Sequence, residues 1–408
     1  MRILAISTWF PYPPDNGSKM RAYNLLRHLG RVHDLDIIAM SQSRKDLDYM
    51  DEVRAFSRRA AVFPEPSFNP GRVSSWSGFL SPIPRYFREH HSAQLETVSQ
   101  EWSDNGEYDA VVAVTLGAAP YAAKAKALFK ILDHHNVEYQ VIRRQCQVER
   151  SLLRRLRYTP TWIKAAKFEK AVTGVFDAIA VVSSCERTLM EDLLPHESRI
   201  THHELRITVV PNGVDPGLLE FNAPKKQNTL VFTGALSYRP NYDAALALCK
   251  DILPAIRRQF PDVRLRITGR NDGVDMTKFP QDRGIEFTGY VDDIRPVVAS
   301  ASALVVPLRF GGGTRLKILE AMALGTPVVS TPMGAEGLEI ENGVHMLLGE
   351  SSGDLVSQTA RILSDPEFGE WIAKNARALI REKYQWPAIA EDFERVISSG
   401  LERKRNGH

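Results

Sequence analysis

Apolar and polar positions along the chain follow two alternating periods. Short runs of β-branched and other apolar residues are separated by longer stretches in which apolar residues recur every three or four positions. This alternation predicts βαβ units, in which helices connect the strands of a parallel sheet. The pattern occurs twice, and the predicted strands are 2–7, 35–40, 109–114, 129–132, 177–183 and 207–211, then 229–234, 264–269, 285–289, 302–307 and 326–331.

The two sets of strands predict two α/β domains, each a doubly wound sheet with its own core. A chain of 408 residues is also too long to fold around a single hydrophobic core of ordinary size. Proline, glycine and asparagine accumulate between residues 209 and 229, which indicates the boundary. A last helix, 386–404, begins at a tryptophan-proline pair. Ligands of such sheets bind beyond the carboxyl ends of the strands, where the candidate chemistry is therefore expected.

Composition narrows the class of protein without naming a chemistry. Hydrophobic residues make up 43% and charged residues 25%, as in globular proteins, and no apolar run of about 18 residues could span a membrane. The N-terminal apolar run is short and broken by prolines, which predicts a strand rather than a secretory signal, and so a cytoplasmic protein. A net charge of +3 predicts no nucleic-acid partner. Cys146, Cys185 and Cys249 form no C-x-x-C pair, so buried thiols are expected rather than disulfides or a zinc site.

The segment RFGGGTRLKILEAMALGTPVVS, 309–330, contains the strongest candidate chemistry. Three glycines precede a short helix, so several backbone N–H groups and the positive end of the helix dipole are expected to point at one place. Arg315 and Lys317 in the first turn oppose that dipole and call for a negative partner. The segment matches neither the dinucleotide fingerprint nor the P-loop. It predicts a site for a phosphate or diphosphate.

The ends of this helix are predicted from its capping residues. Thr314 is the expected N-cap and Gly325 the expected C-terminal cap. Lys317 and Glu320 lie three residues apart and so share a helix face. The alternative interpretation is a solvated Lys–Glu pair, which leaves the adjacent glycines and the two cations unexplained.

Longer motifs resemble those of the retaining glycosyltransferases of family four, which have the GT-B fold. The resemblance covers most of the chain, and its motifs are PPDNGSKMRAYNLLRHL at 13–29, LDHHNVE at 132–138, VVPNGVD at 209–215, FTGALSYRPNYDA at 232–244, FTGYVDDI at 287–294 and RLKILEAMALGTPVVST at 315–331. It implies two Rossmann-like domains that face a cleft. Residues 1–208 with 386–408 would bind the acceptor and residues 209–385 the nucleotide-sugar, with the last helix crossing back onto the first domain.

The resemblance also assigns roles to individual residues. Glu320 would accept hydrogen bonds from the ribose hydroxyls of the nucleotide, and the loop around Tyr290 and Val291 would read the base through its backbone. His135 would lie near the donor sugar, although a structural histidine is the alternative and His134 stands beside it. The remaining nucleotide-sugar contacts would come from glycines and a threonine near strand ends: Gly17, Gly234, Gly311, Gly312, Gly313 and Thr314. For Gly17 an ordinary turn glycine is the alternative.

The sequence departs from the family pattern at the diphosphate. Gly312 stands where relatives have a glutamate that contacts the donor sugar, and Ala235 and Pro240 stand where many have an arginine and a lysine. Arg315 and Lys317 can supply the missing positive charge. These two residues and His135 are therefore the predicted catalytic residues.

Residues 143–170 form a basic stretch with leucines and aromatic residues between the cations. Such a stretch could lie on an anionic membrane surface, and a solvated helical face is the alternative. If the acceptor is lipid-linked, the stretch would bring the acceptor domain to the inner leaflet of the cell membrane.

The predicted function is retaining transfer of a sugar from a nucleotide diphosphate sugar to a hydroxyl, in the synthesis of an exopolysaccharide or lipid-linked glycan. No metal or other cofactor is expected, because no D-x-D pair is positioned to bridge the diphosphate to a cation. A sugar-nucleotide epimerase and a non-catalytic nucleotide-sugar-binding scaffold are the alternatives. The donor base, the sugar, the acceptor and the oligomeric state stay open.

Overall fold

The structure is a computed structural model that describes residues 1–66, 81–149, 151–194 and 206–406. The chain divides into two compact units, Met1–Asn212 with Pro387–His408 (the N-terminal unit) and Gly213–Trp386 (the C-terminal unit). The boundaries predicted from the sequence fall after residues 208 and 385, within a few residues of these. No described helix has both the length and the apolar composition needed to cross a bilayer.

Within the described residues, the N-terminal unit contains a parallel sheet of seven strands in the order β3-β2-β1-β4-β5-β6-β7. The chain turns back at β1, so strands on either side of it wind in opposite directions, as in a doubly wound sheet. The strands are β1 Arg2–Ser7, β2 Asp34–Ser41, β3 Arg59–Pro64, β4 Ala110–Val114, β5 Phe129–His134, β6 Ala178–Val181 and β7 Ile207–Val209.

The helices of this unit connect those strands and cover the sheet. A short 3-10 helix, Arg44–Tyr49, precedes the second of them. The helices are α1 Gly17–Val32, α2 Met50–Arg54, α3 Arg85–Glu89, α4 Ala93–Gly106, α5 Ala119–Lys124, α6 Glu138–Val148, α7 Leu152–Thr173 and α8 Ser184–Leu193.

The described part of the C-terminal unit contains a second parallel sheet, of six strands in the order β10-β9-β8-β11-β12-β13. Its strands are β8 Thr229–Thr233, β9 Arg264–Thr268, β10 Ile285–Gly289, β11 Ala303–Val306, β12 Val328–Ser330 and β13 Leu347–Leu348. Its helices are α9 Gly217–Glu220, α10 Arg239–Ala247, α11 Leu253–Arg257, α12 Arg295–Ala299, α13 Leu316–Ala323, α14 Pro332–Ala335, α15 Ser352–Ser364 and α16 Pro366–Lys383, with a 3-10 turn at Met276–Lys278. A last helix, α17 Trp386–Arg405, begins in this unit and continues into the other.

The two parallel sheets confirm the predicted α/β class, and each predicted run overlaps an observed strand. Two strands were not predicted, β3 and β13. β3 lies at the sheet edge, has no fully buried residue and ends in proline, so its sequence lacks a buried strand's apolar run. β13 has only two residues, Leu347–Leu348, which is too short for a periodic signal.

The helical pattern predicted over 241–260 is not one regular α-helix. α10 passes into a π-helical turn, Leu248–Ile252, before α11 begins at Leu253. Pro254 explains the irregularity, because it has no N–H to donate and its ring crowds the carbonyl four residues earlier.

α17 packs on the N-terminal unit, as the resemblance implies. Its apolar face, from Ile389 to Leu401, is buried. Gly400 lies against the buried ring of Phe129 in β5, and a Cβ at Gly400 would come within 2.3 Å of that ring. Glycine is therefore needed here for close approach and not for its backbone conformation.

Gly400→Ala tests this packing through the sign of its effect. Alanine normally stabilises a helix interior by about 1 kcal/mol over glycine, whereas overpacking a core costs about 1–3 kcal/mol. We expect a net loss of stability and a lower Tm, measured by circular dichroism. Ser399→Ala on the same helix is the control and should change Tm little. A rise in Tm for Gly400→Ala would show that the Phe129 ring moves to make room for the added methyl group.

Candidate functional site

The strands of the C-terminal sheet end at an edge where the backbone turns are closely packed. Gly234 follows β8 and Gly269 follows β9, with φ angles of +136° and +137° that side chains rarely adopt. The Gly234 N–H donates to the Thr268 carbonyl at 2.8 Å. A Cβ at Gly269 would lie 2.4 Å from the Gly234 carbonyl oxygen. Both turns therefore need glycine.

Lys317, in the first turn of α13, directs its ammonium into this edge. Its Nζ donates to Asn241 Oδ1 at 2.8 Å and lies 4.3 Å from the centre of the Phe232 ring. A Cβ at Gly234 would lie only 2.7 Å from Nζ, so the strand-end glycine makes room for the cation. The predicted residues Gly234 and Lys317 thus meet in the structure.

The surroundings of Lys317 disfavour its charge. Burial, with a smaller contribution from the nearby Arg315 charge, lowers the pKa of Lys317 to about 7, and Glu320 offsets only part of this effect. Burial likewise raises the pKa of Glu320. The Glu320 carboxylate makes no hydrogen bond with another residue of the described chain. A cation and a carboxylate therefore lie one helical turn apart at this edge, both partly buried.

The loop before α13 differs from the prediction at its end. The helix begins at Leu316, and its N-cap is Arg315, without a side-chain capping bond, so the expected Thr314 N-cap is wrong. The buried Arg315 guanidinium folds back and donates to the carbonyls of Gly312 and Gly313. Those bonds close the loop through its carbonyls and do not cap the N–H groups of the helix. Arg315 therefore precedes the first turn of the helix and shapes the glycine loop.

The other end of α13 agrees with its sequence. Gly325 follows the C-cap residue Leu324 with φ +69°, and its N–H donates to the Met322 carbonyl at 3.1 Å. The Thr326 N–H reaches back to the Ala321 carbonyl at 2.9 Å. This left-handed glycine ends the helix, as predicted.

Tyr290 and Val291 leave β10 at the same edge of the sheet. The Arg270 guanidinium lies 5.1 Å from the centre of the exposed Tyr290 ring. Sequence reasoning missed Arg270 and Asn241 as candidate site residues. Arg270 could have been predicted, because it directly follows a strand-end glycine. Asn241 could not, because its contact with Lys317 joins residues 76 positions apart in the sequence.

His135 lies in the N-terminal unit, just beyond β5. Its Nε2 donates to the buried Asp133 carboxylate at 2.8 Å, while its Nδ1 has no hydrogen-bond partner among the described residues. Burial alone would raise the pKa of Asp133, but Arg21 and His135 outweigh it and lower that pKa. Arg21, from α1, lies 2.7 Å from Asp133 and also donates to Asn212 Oδ1 at 3.1 Å. Asp133 and Arg21 thereby fix the imidazole of His135.

The neighbouring His134 has a different role. It is fully buried, and its Nε2 lies 2.9 Å from Glu169. Glu169 also accepts the backbone N–H groups of Glu138 and Tyr139 at 3.0 and 2.9 Å, at the start of α6. Burial would lower the pKa of His134, but the neighbouring Glu169 carboxylate outweighs it and raises that pKa. His134 therefore joins α7 to β5 and leaves His135 as the candidate.

Gly17 is the first residue of α1, after the N-cap Asn16, whose side chain accepts the Lys19 N–H at 3.1 Å. It lies one turn before Arg21 on that helix. Gly17 and His135 thus belong to elements joined by the Arg21–Asp133 ion pair. The glycine loop, Lys317, Glu320, Gly234 and Tyr290 all belong to the C-terminal unit.

Residues 227–365 match the family described as "Glycosyl transferases group 1". This part of the chain is therefore similar to the group 1 domain of glycosyltransferases. It contains β8 to β13 and α13, and therefore Gly234, Lys317 and Glu320.

Two relatives are named as enzymes of the same class. The chain is 29% identical over 215 residues to a glycogen synthase of Mycobacterium tuberculosis, with 49% of this chain and 50% of the relative covered. It is 30% identical over 207 residues to the phosphatidyl-myo-inositol mannosyltransferase of Mycobacterium leprae, covering 47% and 53%. The chain spans about half the length of the curated relatives it matches.

Solved structures of similar fold extend the comparison beyond the group 1 domain. HepE of Anabaena in complex with UDP-glucose superposes with a TM-score of 0.68 at 15% identity, covering 98% of this chain and 100% of HepE. At this identity the likeness shows the fold alone, which is GT-B with two Rossmann-like domains.

Lys317→Met should stabilise the ligand-free protein, and the gain should depend on pH. The folded state holds the Lys317 pKa near 7, below its value in the unfolded chain. The charged lysine therefore lowers the free energy of unfolding by its full amount below pH 7, and this loss disappears as the pH rises towards about 10. We therefore expect the Tm advantage of the variant to be largest near pH 6 to 7 and to shrink by about pH 9. The exposed Lys250→Met is the control. An advantage that stays constant with pH would contradict a desolvated ammonium.

Proposed function

We propose that the protein is a retaining glycosyltransferase, independent of metal, that moves a sugar from a nucleotide diphosphate sugar to a hydroxyl of a glycan or lipid-linked acceptor. The observation that carries the proposal is the partly buried ammonium of Lys317, which lies 2.8 Å from Asn241 Oδ1 and beside Gly234 at the carboxyl edge of the C-terminal sheet. The group 1 domain over residues 227–365 supports the same class of enzyme.

Lys317 is suited to a diphosphate because a dianion would reverse the effect of burial. An anion beside Nζ favours the charged amine, and binding would therefore raise the pKa of Lys317 from about 7. Asn241 and the Phe232 ring hold the ammonium in one position before the ligand arrives. Little side-chain ordering then remains to be paid when the diphosphate binds.

Glu320 supplies the contact to the sugar of the nucleotide. It lies one helical turn beyond Lys317, and its carboxylate has no competing hydrogen bond within the described chain. Ribose hydroxyls would donate to it, and such charge-assisted bonds are stronger than neutral ones. The neighbouring strand ends, with Tyr290 and Val291, would surround the base.

In the proposed reaction the bond between the anomeric carbon and the diphosphate oxygen breaks, and the acceptor oxygen bonds to the same face of that carbon. The acceptor proton passes to an oxygen of the departing phosphate. Negative charge grows on the diphosphate as the bond breaks, so Lys317, Arg315 and the loop N–H groups stabilise the transition state. Arg315 also keeps the glycine loop closed through Gly312 and Gly313.

His135 is proposed to contact the donor sugar or the acceptor from the N-terminal unit. The Asp133 carboxylate accepts a hydrogen bond from Nε2, which leaves Nδ1 as the ring nitrogen for a ligand. Arg21 keeps the Asp133 carboxylate ionised and therefore acts as a positioning residue.

A non-catalytic nucleotide-sugar-binding scaffold is the second candidate. The observation that favours it is Gly312, which replaces the glutamate that the family places near the donor sugar. The scaffold would bind the diphosphate through Lys317 and Glu320 in the same way but would not turn over the donor.

Nucleoside diphosphates and their sugars should raise Tm in a thermal-shift panel that covers uridine, guanosine and adenosine. A ligand at about 100 times its Kd adds roughly 2.7 kcal/mol of stability. We expect one base to be preferred, and its shift to be reduced by at least about half in Lys317→Met and Glu320→Gln but kept in Lys250→Met. Equal shifts in all variants, or none with any diphosphate, would overturn the donor site.

An assay with the donor identified in this way then distinguishes the candidate functions. Transfer of its sugar to a hydroxyl acceptor in the presence of EDTA, with the anomeric configuration kept in the product, would support the proposal. Release of an epimer would identify an epimerase, and binding without turnover would identify the scaffold.

We also propose that the enzyme docks on an anionic membrane surface through the start of α7. The first two turns of that helix bear Leu152, Leu153 and Leu156, whose exposed fractions are 73%, 81% and 71%. At i, i+1 and i+4 these side chains share one face. Arg154, Arg155 and Arg157, all exposed, lie among them. This set of six residues is called the leucine–arginine tip.

The charge around the leucine–arginine tip is little compensated. Glu169, one of two acidic residues in 143–170, is buried against His134, and Arg154 lies 3.8 Å from the other, Glu149. The stretch is interrupted between α6 and α7, and Arg150 lies outside the described residues. Docking therefore rests on the tip and not on the whole stretch. Burying one leucine gains about 1.5–3 kcal/mol, and each cation near an anionic surface adds about 1 kcal/mol.

Vesicle co-sedimentation tests the leucine–arginine tip. We expect the protein to sediment with phosphatidylglycerol–phosphatidylcholine vesicles more than with phosphatidylcholine alone, and less at high salt. Changing Leu152, Leu153 and Leu156 to serine should lower binding at least about tenfold. The control changes Leu47, Leu128 and Val175, which are also exposed, to serine. Equal loss in both triple variants, or no lipid dependence, would contradict docking through this tip.

A further inference from the structure

A groove of about 380 Å³ opens on the C-terminal unit between α16 and the segment 222–225. Its floor consists of small and apolar residues, including Ala299, Leu324 and Ala373. Four cationic side chains and one carboxylate line it: Lys225, Lys374, Arg377, Arg381 and Glu370. This set is called the basic groove.

The basic groove lies at the opposite end of the sheet from Lys317. Lys225 and Ala299 precede β8 and β11, and Gly325 precedes β12, so the groove borders the amino ends of these strands. Lys317 lies beside the glycine that follows the carboxyl end of β8. A strand of this length spans roughly 15 Å. A ligand in the groove would therefore occupy a site separate from the proposed donor site.

The groove concentrates positive charge along one face of a helix. Glu370, Lys374, Arg377 and Arg381 follow one another at spacings of four, three and four residues, which places them in one row on α16. Burial, and then the charge of Arg381, lowers the pKa of Arg377. Burial, and then the charge of Arg377, lowers the pKa of Lys225 to about 8. These cations repel one another, and an anion between them would relieve the repulsion.

Two of the cations are held in place by backbone carbonyls. Lys225 Nζ donates to the Gly325 carbonyl at 2.9 Å and to the Ala301 carbonyl at 3.2 Å, and so covers the negative end of α13. Arg377 donates to the Leu219 carbonyl, yet its Nε is buried without a partner among the described residues. Capping of the end of α13 explains why Lys225 is placed here. It does not explain the placement of Lys374, Arg381 and the Arg377 Nε.

We infer that the basic groove binds a small molecule that bears a phosphate monoester. A phosphate offers a dianion and acceptor oxygens to the Arg377 Nε, Lys374 and Arg381, and guanidinium groups match its geometry. The volume of about 380 Å³ is in the range of small-molecule pockets and suits a phosphorylated metabolite of sugar size.

The position of the groove also suggests how occupancy would reach the donor site. α13, Leu316–Ala323, contains Lys317 and Glu320 and is followed by Leu324 and Gly325, which line the basic groove. One helix of eight residues thus borders both sites. A ligand that contacts Leu324 and Gly325 would therefore act on the helix that carries Lys317.

Calorimetric titration with inorganic phosphate and with glucose 6-phosphate, at physiological ionic strength, tests the inference. The double variant Lys374→Gln with Arg381→Gln removes two exposed cations, and Lys250→Gln with Arg258→Gln removes two exposed cations outside the groove. We expect the first pair to weaken binding at least about tenfold and the second to leave it unchanged. Binding should persist in Lys317→Met, where the donor site is altered.

The results separate this inference from the proposed function. Loss of phosphate binding in Lys317→Met would place the phosphate at the donor site and overturn the inference. Equal weakening by both double variants would show a general charge effect and overturn it too, as would absence of binding by both probes. Tm values without ligand verify that every variant is folded.

Discussion

A parallel sheet delivers the end of every strand to the same edge, and this constraint determines where chemistry can gather in both units. In the C-terminal unit, β8, β9, β10 and β11 end together, so residues from distant parts of the sequence meet there. In the N-terminal unit the same rule brings His135, after β5, near the start of α1. The strand interiors contribute stability, and the residues just beyond them contribute function.

Crowding at that edge explains the residue types found there. Gly234 is small because the ammonium of Lys317 occupies the space of its missing Cβ. That ammonium has exchanged part of its water for one amide oxygen and an aromatic ring, an exchange that an anion in the proposed donor site would offset. The unliganded protein thus gives up some stability for a cation already in position, as binding sites often do.

Much of the fold could be predicted from the sequence, because buried strands such as β4 and β11 are continuous apolar runs bounded by turn residues. The strand β3 could not, since an edge strand buries too little to need such a run. Within the candidate site, the glycine loop, Lys317 and Glu320 could be predicted because they lie close together in the sequence. Asn241, Asp133 and Arg21 act through contacts across 76 and 112 positions, which no local pattern encodes. Thr314 was misassigned because the helix begins one residue later than its pattern indicated, with Arg315 at the N-cap position.

The path of the chain between the units has a consequence for synthesis. The N-terminal unit contains residues 1–212 but also Pro387–His408, and its core includes Phe393 and Ile397 of α17. These residues leave the ribosome after the entire C-terminal unit. The part that is translated first is therefore completed last, and until then its surface beneath α17, around Phe129, stays open to water and to other chains.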